Sequence, residues 1–427
     1  MESVNPSSSK SIVESKRFRF KRDWLIVIAI FVSMRLIIYS VAATIPFDYE
    51  IFEPKWLDAR HQEIGQQFAS NPAKADQLLV NRWYRWDTTY FVTISVLGYS
   101  EFDKSASFMP LFPFVIRIFY QLTNINPLVL ALLISNVFCL IALVLFYEVA
   151  MLELKSQSRA RDVIIYLMAF PSAFFLFVGY SESIFLFLGL LMWLLLRRGQ
   201  IYWASVVVTL AVLVRLQGLA LVLPLAWQSL VHLAQIDGLN PLEEVKAGFR
   251  TIIQNLQQKR INYRKIFQFL IIVLLPIITV ALYNLGMKAG SLSTVLEAYS
   301  YRNTSLTFPW VGLLKFGEKL FTIDYLLEDV IDLLVFSVYV SLLIFGFQKI
   351  KPGLSFLSVG VLAMVFSRDF PEGLLYGFMR FALTTFPIFL VMATVKIPRL
   401  LKSSILVISL VTQLILVWLF VHWIWVA

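Results

Sequence analysis

Apolar runs of about 20 residues recur from one end of this chain to the other, and no other feature limits its fold so strongly. They lie at Trp24–Ile45, Pro127–Leu154, Ile164–Val178, Ile184–Leu196, Tyr202–Leu230, Phe267–Met287, Leu326–Phe345, Leu354–Phe366, Phe378–Val395 and Ser404–Trp425. In hydrocarbon an amide finds no water, so each run must satisfy its own N–H and C=O groups, as a helix does. Composition agrees: 59% of the 427 residues are hydrophobic and 15% charged, where a soluble chain carries about 25% charged residues. The predicted fold is all-α, a polytopic transmembrane helical bundle of about eleven membrane helices.

Orientation follows from the basic residues, which gather at the cytoplasmic ends of membrane helices. The net charge is +10, much of it in short clusters between apolar runs, so it argues for orientation and against a nucleic-acid partner. Lys10, Lys16, Arg17, Arg19, Lys21 and Arg22 place residues 1–22 inside as a tail, ahead of a single membrane-embedded domain over 23–427. No small-residue cleavage site follows Lys16–Arg22, so the first helix is read as retained. Residues 46–123 are then a large outer loop, in which Asp58–Phe68 and Tyr84–Leu97 read as amphipathic surface helices and Pro110–Tyr120 as an interfacial segment. Ile164–Val178 and Ile184–Leu196 are short for spans, which sinks the turn Gly179-Tyr180-Ser181-Glu182-Ser183 below the outer surface. Tyr202–Leu230 admits two readings. One helix would put Lys246, Arg250, Lys259, Arg260, Arg264 and Lys265 outside. Two short helices, broken near Arg215-Leu216-Gln217-Gly218, keep them inside, as the charge bias favours.

The single cysteine, Cys139, excludes an intrachain disulfide and a multi-Cys metal site. His61, His232 and His422 fall in different regions, so no His-built metal site is expected. A divalent cation held by carboxylates is the only metal left open. Trp24, Trp423 and Trp425 read as interfacial anchors. Asn303-Thr304-Ser305 fits a glycosylation sequon, a pattern short enough to arise by chance.

Several segments resemble one family of membrane enzymes. Arg85-Trp86-Asp87-Thr88-Thr89-Tyr90-Phe91, followed by Leu97-Gly98-Tyr99, is similar to an RWD-x-x-Y-F…GY segment. Ser107-Phe108-Met109-Pro110-Leu111-Phe112-Pro113 with Arg117 resembles A-F-F-P-L-x-P…R, and Ser135-Asn136 an S-N pair. Phe170-Pro171-Ser172-Ala173-Phe174-Phe175 and Tyr180-Ser181-Glu182-Ser183 resemble N-P-A…F-F…Y-S-E-S. Arg215-Leu216-Gln217-Gly218-Leu219 stands in the place of R-S-N-G, and Tyr376-Gly377-Phe378-Met379-Arg380-Phe381 with Phe386-Pro387 in that of R-Y/F…F-P. Taken in order, these resemble the PIG-V family, the GPI mannosyltransferase II group, and more broadly the GT-C class of multi-pass glycosyltransferases. Phe170 departs from the family's Asn, and Leu216-Gln217 from its Ser-Asn.

The resemblance implies a GT-C-like fold and mannosyl transfer from a polyprenyl- or dolichyl-phosphate sugar to a lipid-linked or glycan acceptor on the outer or luminal face. Such a donor leaves as a stable phosphate, so one base that takes the acceptor proton suffices. Asp87 is the first candidate base, with N-capping as its plain alternative. Glu182 is the second. Arg380 is either a ligand for the donor phosphate or an ion-pair partner for Asp369 or Glu372. Arg215 lies in an apolar run, where a charge costs about 2.5–3.5 kcal/mol and needs a partner or a cavity. It either pins the break or meets substrate. Arg85 and Arg302 are further candidates for the phosphate, and Trp86 and Tyr90 for the sugar face. Arg35, midway along the first run, is expected to pair with a buried carboxylate. No cofactor is expected beyond the lipid-phosphate sugar as co-substrate. Expected partners are membrane lipids, the donor, the acceptor and an undefined small membrane subunit. The location is the plasma membrane of a bacterium or the endoplasmic reticulum of a eukaryote. A transporter or lipid flippase is the rival reading, to which the intramembrane arginines contribute; the lack of a visible repeat counts against it.

Overall fold

The apolar runs form helices, but not all at full length. The computed structural model describes residues 6–44, 57–71, 73–101, 104–234, 240–257, 263–290, 305–322, 327–369, 375 and 377–426. In chain order these helices are α1 Pro6–Ala43, α2 Ala59–Phe68, α3 Lys74–Leu79, α4 Asp87–Leu97, α5 Leu111–Thr123 and α6 Pro127–Leu154. There follow α7 Gln157–Ala169, α8 Glu182–Arg197, α9 Ile201–Val214, α10 Val222–Ala234, α11 Pro241–Gln257 and α12 Tyr263–Ala289. The last are α13 Pro309–Thr322, α14 Leu327–Lys349, α15 Pro352–Phe366, α16 Phe378–Thr384, α17 Pro387–Met392 and α18 Arg399–Val421. One antiparallel pair of two-residue strands joins Ser305–Leu306 to Arg368–Asp369.

Among the described residues, five helices are long and apolar enough to cross a membrane: Arg22–Ala43, Pro127–Leu154, Tyr263–Lys288, Asp329–Lys349 and Arg399–Val421. The other expected spans are shorter. The 16 residues of α8 rise about 24 Å at 1.5 Å each, less than the roughly 30 Å of a hydrocarbon core. The expected span Phe378–Val395 is two short helices, α16 and α17, broken before Pro387. Proline has no amide hydrogen to carry a helix on, and the irregular residue at this break is Thr385 (φ −87°, ψ 71°). Pro171 interrupts the run after α7 in the same way.

The expected break at Arg215 is present. Arg215 is extended (φ −153°, ψ 137°) between α9 and the tight turn Leu216–Leu221. A Cβ on Gly218 would lie 2.5 Å from the Val212 backbone nitrogen, so this turn folds back onto α9. A Cβ on Gly199, just before α9, would lie 3.1 Å from the His232 ring near the end of α10. The start of α9 and the end of α10 therefore sit at the same end of the bundle, and the pair is a hairpin.

The outer-loop expectation needs one correction. α2 is present with Asp58 as its cap, accepting from the Arg60 amide at 2.9 Å. The segment read as a second amphipathic surface helix, however, is the buried α4, with Thr88, Thr89, Phe91, Val92, Thr93, Ile94 and Ser95 all enclosed. After Asp87 its polar residues are threonines and a serine, of which Thr88, Thr89 and Ser95 return hydrogen bonds to carbonyls, so the sequence looks amphipathic where the helix is buried. The core lies where α4, α6, α8 and the hairpin meet, around Cys139, Leu143, Phe146, Tyr180 and Leu190.

Candidate active site

Four charged side chains from distant parts of the chain meet at one end of this core. Asp87 opens α4, Glu182 opens α8, Arg215 sits at the hairpin break and Arg380 lies in α16. The Arg380 guanidinium bridges the two carboxylates. Its Nη2 is 2.6 Å from Asp87 Oδ2, and its Nε donates to Glu182 Oε1. Arg215 Nη1 donates to the same Glu182 oxygen at 2.5 Å and to Ser181 Oγ at 3.3 Å. The set balances two negative charges with two positive ones, as buried charges require. The carboxylates differ in access: the Glu182 side chain is 0% exposed and that of Asp87 13%. Among the described residues Glu182 Oε2 is buried without a hydrogen-bond partner.

Irregular backbone holds this set in place. Between the short turn Ala173–Leu176 and α8 the chain is unwound and buried, so its carbonyls need donors. Side chains supply them. Ser183 donates to Leu176 O at 2.7 Å, Asn136 to Phe177 O at 3.1 Å, Thr88 to Val178 O at 2.8 Å and Ser135 to Tyr180 O at 2.8 Å. Arg35 also donates to Phe177 O, at 3.3 Å. It bonds Tyr39 as well, so the buried carboxylate expected for it is replaced by a carbonyl, a phenol and aromatic faces. Gly179 has φ 77°, and a Cβ there would meet Thr88 Cγ2 at 3.3 Å. The Tyr180 hydroxyl accepts from the Asp87 amide at 3.1 Å. Burial, with the Asp87 charge beside it, pushes the Tyr180 phenol well above its ordinary range, so it stays protonated. Gln217 donates to Thr384 Oγ1 at 3.0 Å, and Ser172 to Met379 O at 3.0 Å; both tie α16 down around Arg380.

Among the described residues Arg380 pairs with Asp87 and Glu182; of the two partners expected for it, Glu372 and the side chain of Asp369 lie outside the described set. Three other candidates stand apart from this set. Arg85 is buried and donates from Nε to Val421 O at 3.0 Å, with its guanidinium 4.8 Å from the Trp423 ring centre. It is a tie to the end of α18, where a phosphate contact was expected. Trp86 packs edge-on against Trp423 and Trp425 at 5.6 and 5.1 Å. These two terminal tryptophans, expected as interfacial anchors, thus serve internal packing. Tyr90 stacks on Phe108 at 4.6 Å and lies 4.3 Å from the His61 ring. Arg302 and the Asn303 sequon lie outside the described residues. No three His, Cys, Asp or Glu side chains come together as a metal site among the described residues.

Tyr180, Gln217 and Thr384 had no assigned role from sequence. The Tyr180-Ser181-Glu182-Ser183 run was the available signal for the first. Nothing local marks Thr384. The Trp86 backbone is a further unexpected feature, at φ 50° and ψ −124°. Only glycine reaches such values freely, and other residues held there cost on the order of 1–3 kcal/mol.

GPI mannosyltransferase 2 of Schizosaccharomyces pombe is 31% identical over 140 residues, which is 32% of this chain and 30% of that protein. The chain therefore matches less than a third of that relative's length. The family model for mannosyltransferases of the PIG-V type matches residues 24–365, a stretch that holds Asp87, Glu182 and Arg215 and ends before Arg380. With four-fifths of its length under that match, this chain belongs to the PIG-V mannosyltransferase family.

Proposed function

We propose that this protein transfers mannose from a polyprenyl- or dolichyl-phosphate carrier to a glycolipid acceptor of the GPI type, at the Asp87–Arg380–Glu182 site on the outer or luminal face. The observation that carries the reading is the shared Arg380: one guanidinium bonds a partly open carboxylate and a fully enclosed one. Asp87 is the base. It takes the proton of an acceptor hydroxyl as that oxygen bonds to the sugar C1, and the C1–O bond to phosphate breaks with its electron pair going to the phosphate. No acid is needed for this leaving group.

Arg380 couples binding to chemistry. Paired with Asp87 it occupies an oxygen of that carboxylate. A donor phosphate draws the guanidinium toward itself, since Arg and phosphate make strong charge-assisted bonds, and this frees Asp87 to accept a proton. Glu182, enclosed and bonded to both arginines, keeps Arg380 and Arg215 charged and in place. It is thereby given a holding part, with Asp87 the proton acceptor. Trp86 and Tyr90 flank Asp87 along the chain but face other rings, so neither is assigned to the sugar.

The test is incubation of the purified protein in lipid vesicles with radiolabelled polyprenyl-phosphate mannose and a panel of glycolipids, mannosylated GPI precursors among them. Label is expected in a glycolipid and lost in Asp87→Asn. Transfer from GDP-mannose alone, or none from any mannose donor to any acceptor, overturns the reading.

A further inference from the structure

The candidate base follows a tryptophan whose backbone is strained, and that tryptophan touches a second one in the same condition. Four non-glycine residues among those described have positive φ: Trp86, Asn124, Lys155 and Trp423. Asn124 and Lys155 terminate helices, a usual place for the left-handed region. The two tryptophans are bulky residues for which it is unusual, and their rings lie 5.6 Å apart.

Trp423 follows the end of α18 in a full helix-terminating turn. Its amide bonds Phe420 O at 3.2 Å and the Ile424 amide bonds Leu419 O at 3.0 Å. That turn places a left-handed residue at the position Trp423 holds, where glycine is the common choice. A glycine would end the helix as well. It would not supply the ring that meets Trp86 edge-on and lies under the Arg85 guanidinium at 4.8 Å. Trp425 adds a second edge contact to Trp86 at 5.1 Å, and Arg85 fastens the strand to Val421 O at 3.0 Å. On the far side of Trp86, the Asp87 amide is held by Tyr180 at 3.1 Å, and the Phe420 ring of α18 packs 6.0 Å from Tyr180.

We propose that the C-terminal turn Val421–Trp425 is a positioning clamp: it holds Trp86 in its strained conformation and so aims Asp87 at Arg380. The clamp acts through the backbone and touches no reacting atom. If Trp86 relaxes to ordinary dihedrals, the peptide joining it to Asp87 rotates, the bond to Tyr180 is lost and the carboxylate turns away from Arg380. The proposal rests on Asp87 being the working carboxylate. It goes beyond that in giving a catalytic duty to a segment outside the stretch matched by the family.

The test uses Trp423→Gly in the full-length protein. Glycine suits the helix-ending turn, so the fold is retained while the ring is removed. Turnover with polyprenyl-phosphate mannose is expected to fall about 10- to 100-fold, the order that a small misplacement of a reacting group produces. The donor KM should stay within about threefold, because the loss lies in aiming and not in binding. Trp423→Phe, which keeps a ring, should recover most of the loss. Hydrogen exchange of the Asp87–Thr89 amides should speed up in Trp423→Gly, reporting local release whatever the activity. In a Trp86→Gly background, where positive φ carries no strain, removing Trp423 should cost no more than about twofold further. Folded Trp423→Gly with turnover within twofold and unchanged exchange overturns the clamp. Should that variant fail to fold, Trp425→Leu removes a ring from Trp86 without touching the helix end, and the same two readouts decide. If Asp87→Asn stays active, the assignment of the base fails, while the exchange result still judges the clamp.

Discussion

The two ends of this bundle use the same charged residue types in different ways. At the end where α8 finishes, ion pairs are separate. Arg161 meets Asp23, Arg197 meets Glu153, Lys351 meets Glu244 and Lys402 meets Asp162, at 2.5, 3.0, 2.8 and 2.6 Å. Neutral donors complete the set. Tyr147 takes the other oxygen of Asp23 at 2.7 Å, and Trp227 the other oxygen of Glu244 at 3.2 Å. Each cation there meets one carboxylate from a separate segment. At the end where α8 begins, two carboxylates share one arginine, and among the described residues Glu182 Oε2 has no partner. A satisfied pair fixes a helix end. An under-satisfied, shared network is costly to hold and is where chemistry is to be sought.

The largest effect that separates the ends is expected for Asp87→Asn. Trp86 holds the cap position of α4 and no side chain caps it, so the capping alternative for Asp87 falls away. Asparagine keeps the size but cannot take a proton at neutral pH, and mannosyl transfer should fall at least about 100-fold with expression and donor binding retained. Transfer within a few-fold of the parent ends the claim for Asp87 and passes it to Glu182. Next comes Arg380→Lys. Lysine keeps the charge but not the fork that reaches both carboxylates, and donor use should weaken by roughly 10-fold or more with the protein still folded. If donor dependence is the same in Arg380→Lys and Arg380→Ala, Arg380 does not meet the phosphate.

A substitution at the other end should reverse that pattern. Glu244 is fully enclosed and Lys351 17% exposed. Glu244→Gln takes the carboxylate charge out of this pair, and breaking a buried pair costs about 3 kcal/mol. The thermal midpoint should drop, while transfer per folded molecule stays within about twofold. Adding Lys351→Met should restore much of the midpoint, since a well-packed apolar replacement of both partners is often neutral. Lost activity in the folded protein would show that the basic end is not only an anchor.

Much of this contrast was legible in the sequence, and its limits have physical causes. Asp87, Glu182, Arg215 and Arg380 stand out because charge among apolar residues is costly, and the hairpin follows from where the arginines fall. Their pairing was hidden: Arg380 reaches Glu182 across 198 residues of chain, and no local pattern encodes such a contact. Arg85 looked like the others because residue type does not reveal whether a guanidinium meets a phosphate or a carbonyl. Helix α4 looked amphipathic because its threonines are as polar on paper as surface residues. Backbone strain at Trp86 leaves no mark in composition at all.

The smallest predicted effect concerns the base of the hairpin, at the anchored end. Gly199 has φ 70°, and a Cβ there would come 3.1 Å from the His232 ring. Two causes of destabilisation are thus open for Gly199→Ala, backbone strain and contact, and together they should cost about 1 kcal/mol or a little more. His232 is exposed, so its ring can swing aside, and strain should dominate. Asparagine separates the causes. It is larger than alanine, so contact predicts Gly199→Asn to be the worse variant. It enters the left-handed region far more readily, so strain predicts it to be the milder one. Thermal midpoints in the order Gly199, then Asn, then Ala are expected, with transfer per folded molecule equal in all three. The reverse order of Asn and Ala would mean that α10 packs firmly on the α8–α9 turn through His232, and that this end of the hairpin is held by side-chain contact.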